Sequence, residues 1–365
     1  MSSRESWLHR FVTDPCAAGG ITVLDRASAT LTDCLLAANG ASAQVPSISV
    51  RPSGELQMMG GSIVDAHGVS VQLAEGASAS LDQVLLIRSA RAAVAARGSV
   101  TSLRMRDCTV SDGASVGVML IGCSRNVHLV GCALRANAKA AMQLSQGADP
   151  LVEECTISDG LGPGLLALDG ARGLLRRNTI KSNRGAGARI EASMTNLEAN
   201  TILDGGDVGV SISGVATATA GAAEEDAVGA LAAAGTPDAE TSMPPLTGKP
   251  SLSEAYGVGG QLRAAHVPHP TVAADATRLL VSEAGAQAIL RGNEIARNAL
   301  SGVQVRDGAC PLISENKLYD GHGSGILYCD GSRGVIRDNE LCGHAKTELQ
   351  MSGARTAPLV QGNRI

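Results

Sequence analysis

A six-residue pattern returns through this chain at near-constant spacing: an apolar residue, two variable positions, Asn, one variable position, and a second apolar residue. It runs from Leu175 to Ile180 around Asn178, Leu197 to Ile202 around Asn200, Leu290 to Ile295 around Asn293, Ile313 to Leu318 around Asn316, Ile336 to Leu341 around Asn339 and Val360 to Ile365 around Asn363. Apart from one long gap, successive Asn residues lie 22, 23, 23 and 24 positions apart. Towards the N-terminus the same slot holds Cys155, Cys132, Cys108, Val84, Gly61 and Cys34, and the apolar residue two places on is kept. A period in this range marks stacked repeats, none of which buries its apolar face alone.

Each repeat contains three short alternating segments separated by Gly, Asn and Asp turns. Nine to twelve residues after the slot comes a Gly-apolar-x-apolar stretch, as in Gly187–Ile190, Gly209–Ile212 and Gly302–Val305. A further apolar pair precedes the next slot. Such segments read as strands, and so few residues cannot hold a helical crossover between parallel strands. Leucine-rich repeats share the period, but their residue order is missing. The expected fold is all-β: a single-stranded right-handed parallel β-helix of about 12 coils, with neighbouring coils about 4.8 Å apart.

Composition supports a narrow core of small aliphatic residues. The 365 residues include one Trp, three Tyr and one Phe, too few for a conventional aromatic core or for stacking platforms that bind single-stranded nucleic acid. A net charge of −5 argues against electrostatic nucleic-acid binding, and no run of 18 apolar residues suggests a membrane span. Nine Cys and no apolar leader at the N-terminus point to free thiols in a cytoplasmic or nuclear setting.

The slot predicts a structural ladder. Asn side chains in register can bond to one another along the axis, so Asn178, Asn200, Asn293, Asn316, Asn339 and Asn363 are expected to stack. Cys108, Cys132 and Cys155 would continue the column as small buried residues, with a Cys132–Cys155 disulfide conceivable on adjacent coils. A second polar column, Asn39, Asp65, Asp112, Asn137, Asp159, Asn183, Asp204, Asn298 and Asp320, reads as turn chemistry. Its Asp/Asn alternation would keep carboxylates off adjacent coils. No Cys/His cluster suggests a metal, and no cofactor is expected.

Along the chain, 1–20 carries Trp7, Leu8, Phe11 and Val12 at helical spacing and reads as a capping helix. Coils fill 21–214. Residues 215–263 form a low-complexity loop insertion. Coils continue over 264–365, beginning with one at 264–288. The last coil has no cap, which suggests end-to-end contact there.

The segment Asn293 to Asn339, with Gly302-Val303-Gln-Val305-Arg-Asp-Gly-Ala-Cys-Pro-Leu-Ile, resembles the right-handed, pectin-lyase-like β-helix repeats of carbohydrate-binding and sugar-hydrolase type. It is most similar to the β-helix region of F-box-only proteins. That resemblance implies a non-catalytic scaffold that recognises protein substrates for ubiquitin-dependent turnover, although no F-box precedes the coils. A basic set, Arg172, Arg176, Arg177, Lys181, Arg184 and Arg189, is the candidate binding surface, continued by Arg291, Arg297, Arg306, Arg333 and Arg337, and an acidic protein partner or a phosphopeptide is what it would take. The alternative is a polysaccharide lyase, hydrolase or epimerase. Its candidate groups are Asp65 and His67 beside Arg88 and Arg91, and Tyr319, Asp320 and His322, because such chemistry needs carboxylates and a base on one face.

Overall fold

The computed structural model describes residues 4–9, 12–13, 20–40, 42–214 and 287–365. Alternation of apolar and polar residues at the period of a strand gives three parallel sheets of 13, 12 and 12 strands. The first runs from Arg4–His9 to Leu359–Gln361, the second from Val12–Thr13 to Glu340–Cys342, and the third from Ile21–Val23 to Leu349–Met351. Every sheet takes each third strand in sequence, so the chain winds through all three faces once per coil. This is the parallel β-helix expected from the repeat.

The inward residues form aliphatic stacks. In the first sheet Leu31, Met58, Leu81, Met105 and Leu129 stand in register, all with no exposed surface. Each such side chain contributes about 1.5–3 kcal/mol by leaving water, repeated from coil to coil. The slot lies between the first and second sheets, where the chain must turn sharply. The residue before the slot and the fourth after it adopt left-handed backbone, as at Arg177 (φ 54°) and Ser182 (φ 54°), or Asp107 (φ 51°) and Asp112 (φ 58°). Asp is enriched there because a short polar side chain tolerates that conformation better than most.

Between these turns the Asn ladder forms as expected. Asn178 Nδ2 donates to Asn200 Oδ1 at 2.9 Å, Asn200 to Asn293 at 3.0 Å, Asn293 to Asn316 at 2.9 Å, Asn316 to Asn339 at 2.9 Å and Asn339 to Asn363 at 2.8 Å. Each Oδ1 also accepts the backbone N–H of the preceding slot, as Asn200 does from Asn178 at 2.9 Å. Cys108, Cys132 and Cys155 are buried in the same column as free thiols, with no Cys132–Cys155 disulfide.

The second polar column resolves into two. Asp65, Asp112, Asp159, Asp204 and Asp320 occupy the left-handed turn. Asn39, Asn137, Asn183 and Asn298 sit one residue further on and are buried. Asn137, Asn183 and Asn298 alternate there with Gly113, Gly160 and Gly205, whose N–H groups donate to Asn137, Asn183 and Asn298 Oδ1 at 3.3, 3.0 and 3.0 Å. Glycine is required between them, since a Cβ at Gly205 would lie 2.9 Å from Asn298 Oδ1. The Asp/Asn alternation therefore reflects Asn-to-glycine pairing rather than charge avoidance.

One organisational expectation is corrected. The described residues of 1–20 contain no helix: Arg4–His9 pairs with Ala27–Thr32 and Val12–Thr13 with Leu35–Leu36. Helical spacing at Leu8 is equally a strand alternation, and the adjacent sheet edge supplies the pairing. Across the long intervening segment Leu197 pairs with Leu290, Ile202 with Ile295 and Ser211 with Gln304, and the coil expected at 264–288 lies, but for its last two residues, outside the described residues. The loop expected at 215–263 lies outside the described residues.

Candidate functional site

The six basic residues of the expected binding surface do not converge. One coil circles the whole cross-section, so neighbours in sequence face different ways. Arg176 ends a first-sheet strand, Arg177 occupies the following turn, Lys181 ends a second-sheet strand, and Arg189 belongs to the third sheet. Arg172 and Arg184 lie in the connections between sheets. Arg176 and Arg177 both engage Glu153, the latter at 2.8 Å, and His128 Nε2 meets the same carboxylate at 2.9 Å. The Arg176 bond leads in holding Glu153 below its ordinary value. With Glu153 ionised, the proton of the His128 contact resides on Nε2.

The alternative candidates are partly brought together. Arg88 clamps Asp65 through Nε and Nη2 at 2.6 and 2.9 Å, which pulls the Asp65 carboxyl below its usual range. His67 Nδ1 lies 2.6 Å from Gly40 O. Tyr319 donates to Glu294, while Asp320 and His322 are exposed in their turn. The two groups are separated by many coils and cannot share a substrate-sized site. Cys123 is no nucleophile, as burial pushes its thiol up to about 11. Among the described residues no group of three His, Cys, Asp or Glu side chains is placed to hold a metal.

A site that sequence reading missed lies on the outer side of the third sheet. Outward positions of three consecutive strands form two rows in register. One row is Arg189, Ser211 and Gln304, and the other is Glu191, Ser213 and Arg306. The Cα atoms of the two arginines stand at opposite corners, about 12 Å apart, two coil spacings across and two residues along. Arg189 Nε pairs with the fully buried Glu191. Ser213 Oγ donates to Asp307 Oδ2 at 2.8 Å, and Arg306 lies 3.6 Å from the same carboxylate. Pro163, Ala186, Val208 and Asp207 rise from the preceding connections as one wall of a pocket of about 270 Å³, with Arg189, Ser211, Gln304 and Arg306 on its floor. The available signal was the variable position of each Gly-apolar-x-apolar stretch, which holds Arg189, Ser211 and Gln304 in turn.

A family model described as the right handed beta helix region matches residues 46–202 and 275–365. The chain belongs to the right-handed β-helix family. Among curated protein sequences, none matches this β-helix. Solved structures similar to it share the fold at low identity. One is the A-module of the mannuronan C-5 epimerase AlgE4 of Azotobacter vinelandii, with TM-score 0.56 and 12% identity over 99% of this chain and 91% of that one. Another is a double mutant of the periplasmic alginate epimerase AlgG, with TM-score 0.57 and 10% identity over 96% and 78%. A third is the catalytic unit of the GH87 α-1,3-glucanase of Streptomyces thermodiastaticus, with TM-score 0.61 and 11% identity over 98% and 62%. The expectation of a ubiquitin-pathway substrate scaffold is overturned by this set, and the β-helix part of the expected resemblance is what the family match supports. These three β-helices are named for activity on polysaccharides.

Proposed function

We propose that this β-helix acts on an acidic polysaccharide, held on the outer face of its third sheet. The observation that carries the reading is the pocket whose floor presents Arg189 and Arg306 around Ser211 and Gln304 beneath the Asp207 wall. Guanidinium groups suit the planar carboxylates of a uronic-acid chain, and the hydroxyl and amide suit its neutral oxygens. Similarity to epimerases of mannuronan and alginate supports the same substrate class.

Hydrolysis calls for two carboxylates flanking the bond, but Glu191 is fully buried against Arg189. Asp207 is then the one carboxylate on the pocket wall. It suits removal of the proton next to a uronate carboxylate whose charge an arginine offsets. The test is incubation with polymannuronate and polygalacturonate, followed by proton NMR of the sugar signals. Turnover that Asp207→Asn abolishes, with binding retained, supports the reading. Absence of binding to any acidic polysaccharide defeats it.

A further inference from the structure

The outer face of the first sheet carries a second concavity, remote from the third-sheet pocket. Two adjoining hollows of about 330 and 300 Å³ share Arg104 and His128 as common walls. Ser80, Arg104 and His128 stand in register on successive coils. Asp82 and Arg106 border the first hollow, and Ser102, Arg125 and Asn126 the second.

The charges around Arg104 are already matched. Arg106 engages Asp82, Arg125 Nε meets Asp149 at 2.9 Å, and His128 meets Glu153 at 2.9 Å. Among the described residues, Arg104 itself makes no ion pair or side-chain hydrogen bond. Its row offers Ser80 and His128 rather than a carboxylate, although the adjacent row alternates Asp82 with Arg106 and Glu153 with Arg176. An exposed guanidinium thus faces two hollows, with Ser80 and His128 beside it in its row.

We propose that this groove is a binding site for a carboxylate-bearing ligand, centred on Arg104. The planar guanidinium fork presents parallel N–H groups that fit both oxygens of a carboxylate. Ser80, Ser102 and Asn126 supply hydrogen bonds to neighbouring hydroxyls.

The experiment is isothermal titration calorimetry of the full chain with glucuronate, with glucose and sulfate as comparison probes. It is done in an Arg189→Gln, Arg306→Gln background, which removes both guanidiniums of the third-sheet pocket. Glucuronate binds, glucose does not, and sulfate binds more weakly. Arg104→Gln lowers glucuronate affinity about tenfold or more, as loss of a charged bidentate contact does, with unchanged circular dichroism and melting. Arg104→Lys, which keeps charge but not the fork, recovers only part of the affinity. Equal binding of sulfate overturns the carboxylate assignment. Glucuronate binding that survives Arg104→Gln, or is absent from the start, overturns the site. Neither result bears on Asp207 or on polysaccharide turnover at the third sheet.

Discussion

At the residue scale, a single side chain in this fold answers for groups on two neighbouring coils. Asn200 accepts from the Asn178 backbone N–H and from Asn178 Nδ2, and it donates to Leu175 O at 2.9 Å and to Asn293 Oδ1. Removing it strands buried donors and an acceptor at no gain in packing. Asn200→Ala is expected to destabilise the protein by about 3–5 kcal/mol, from two or three unsatisfied groups at about 1–3 kcal/mol each. Urea titration followed by circular dichroism reads this directly, and a loss under about 1 kcal/mol would show the ladder to be ornamental. This residue-level logic was legible in advance: the spacing named every Asn of the ladder. The turn column was less so. Asp112 and Asn137 look equivalent when counted from the slot within one residue, yet the first is a left-handed turn residue and the second is buried beside it. A one-residue offset changes the direction of a side chain completely, and counting along the chain does not resolve it.

At the scale of the strand, rows of side chains across a sheet decide local electrostatics. On the first sheet Glu153 is nearly buried and draws Arg176, Arg177 and His128 from the flanking coils. Its folded-state carboxyl ionises below the ordinary 4.5. A depressed carboxylate contributes stability above its unfolded value, and that contribution is lost as the pH falls through the folded value. Stability should therefore decline on acidification from about pH 4.5 downward, with Asp65 and Asp204 contributing in the same direction. Glu153→Gln should cost about 1–2 kcal/mol at neutral pH and flatten the acid limb of a melting-temperature profile. An unchanged acid limb in that variant would assign the effect elsewhere. Sequence reading missed this cluster because it sought a basic patch along the chain. Residues 172 to 189 travel once around the prism, whereas Glu153 and Arg176, 23 positions apart, are neighbours. The third-sheet pocket escaped for the same reason, since Arg189 and Arg306 are joined only through two ladder steps.

For the whole molecule, periodicity was the most legible feature, and the register of the stack passes unbroken from Ser211 to Gln304 across a long intervening segment. The expectation of a coil at 264–288 came from an apolar triplet at the right offset, in a segment that lies almost wholly outside the described residues. The alternation of Gly113, Asn137, Gly160, Asn183, Gly205 and Asn298 in one buried column sets the rule for changing the length of such a stack. The true unit cell is a pair of coils, so the molecule has parity. Deleting 178–199 removes one coil and brings Gly160 opposite Gly205, with no acceptor for the glycine N–H and a gap where an amide stood. Deleting 155–199 removes two and restores Asn137 opposite Gly205. Thermal melts should find the one-coil deletion destabilised by about 1–3 kcal/mol beyond the core lost per coil, a penalty that the two-coil deletion does not carry. Growth or trimming of this solenoid in even steps preserves every contact in the column, while an odd step leaves a dislocation inside an otherwise regular stack.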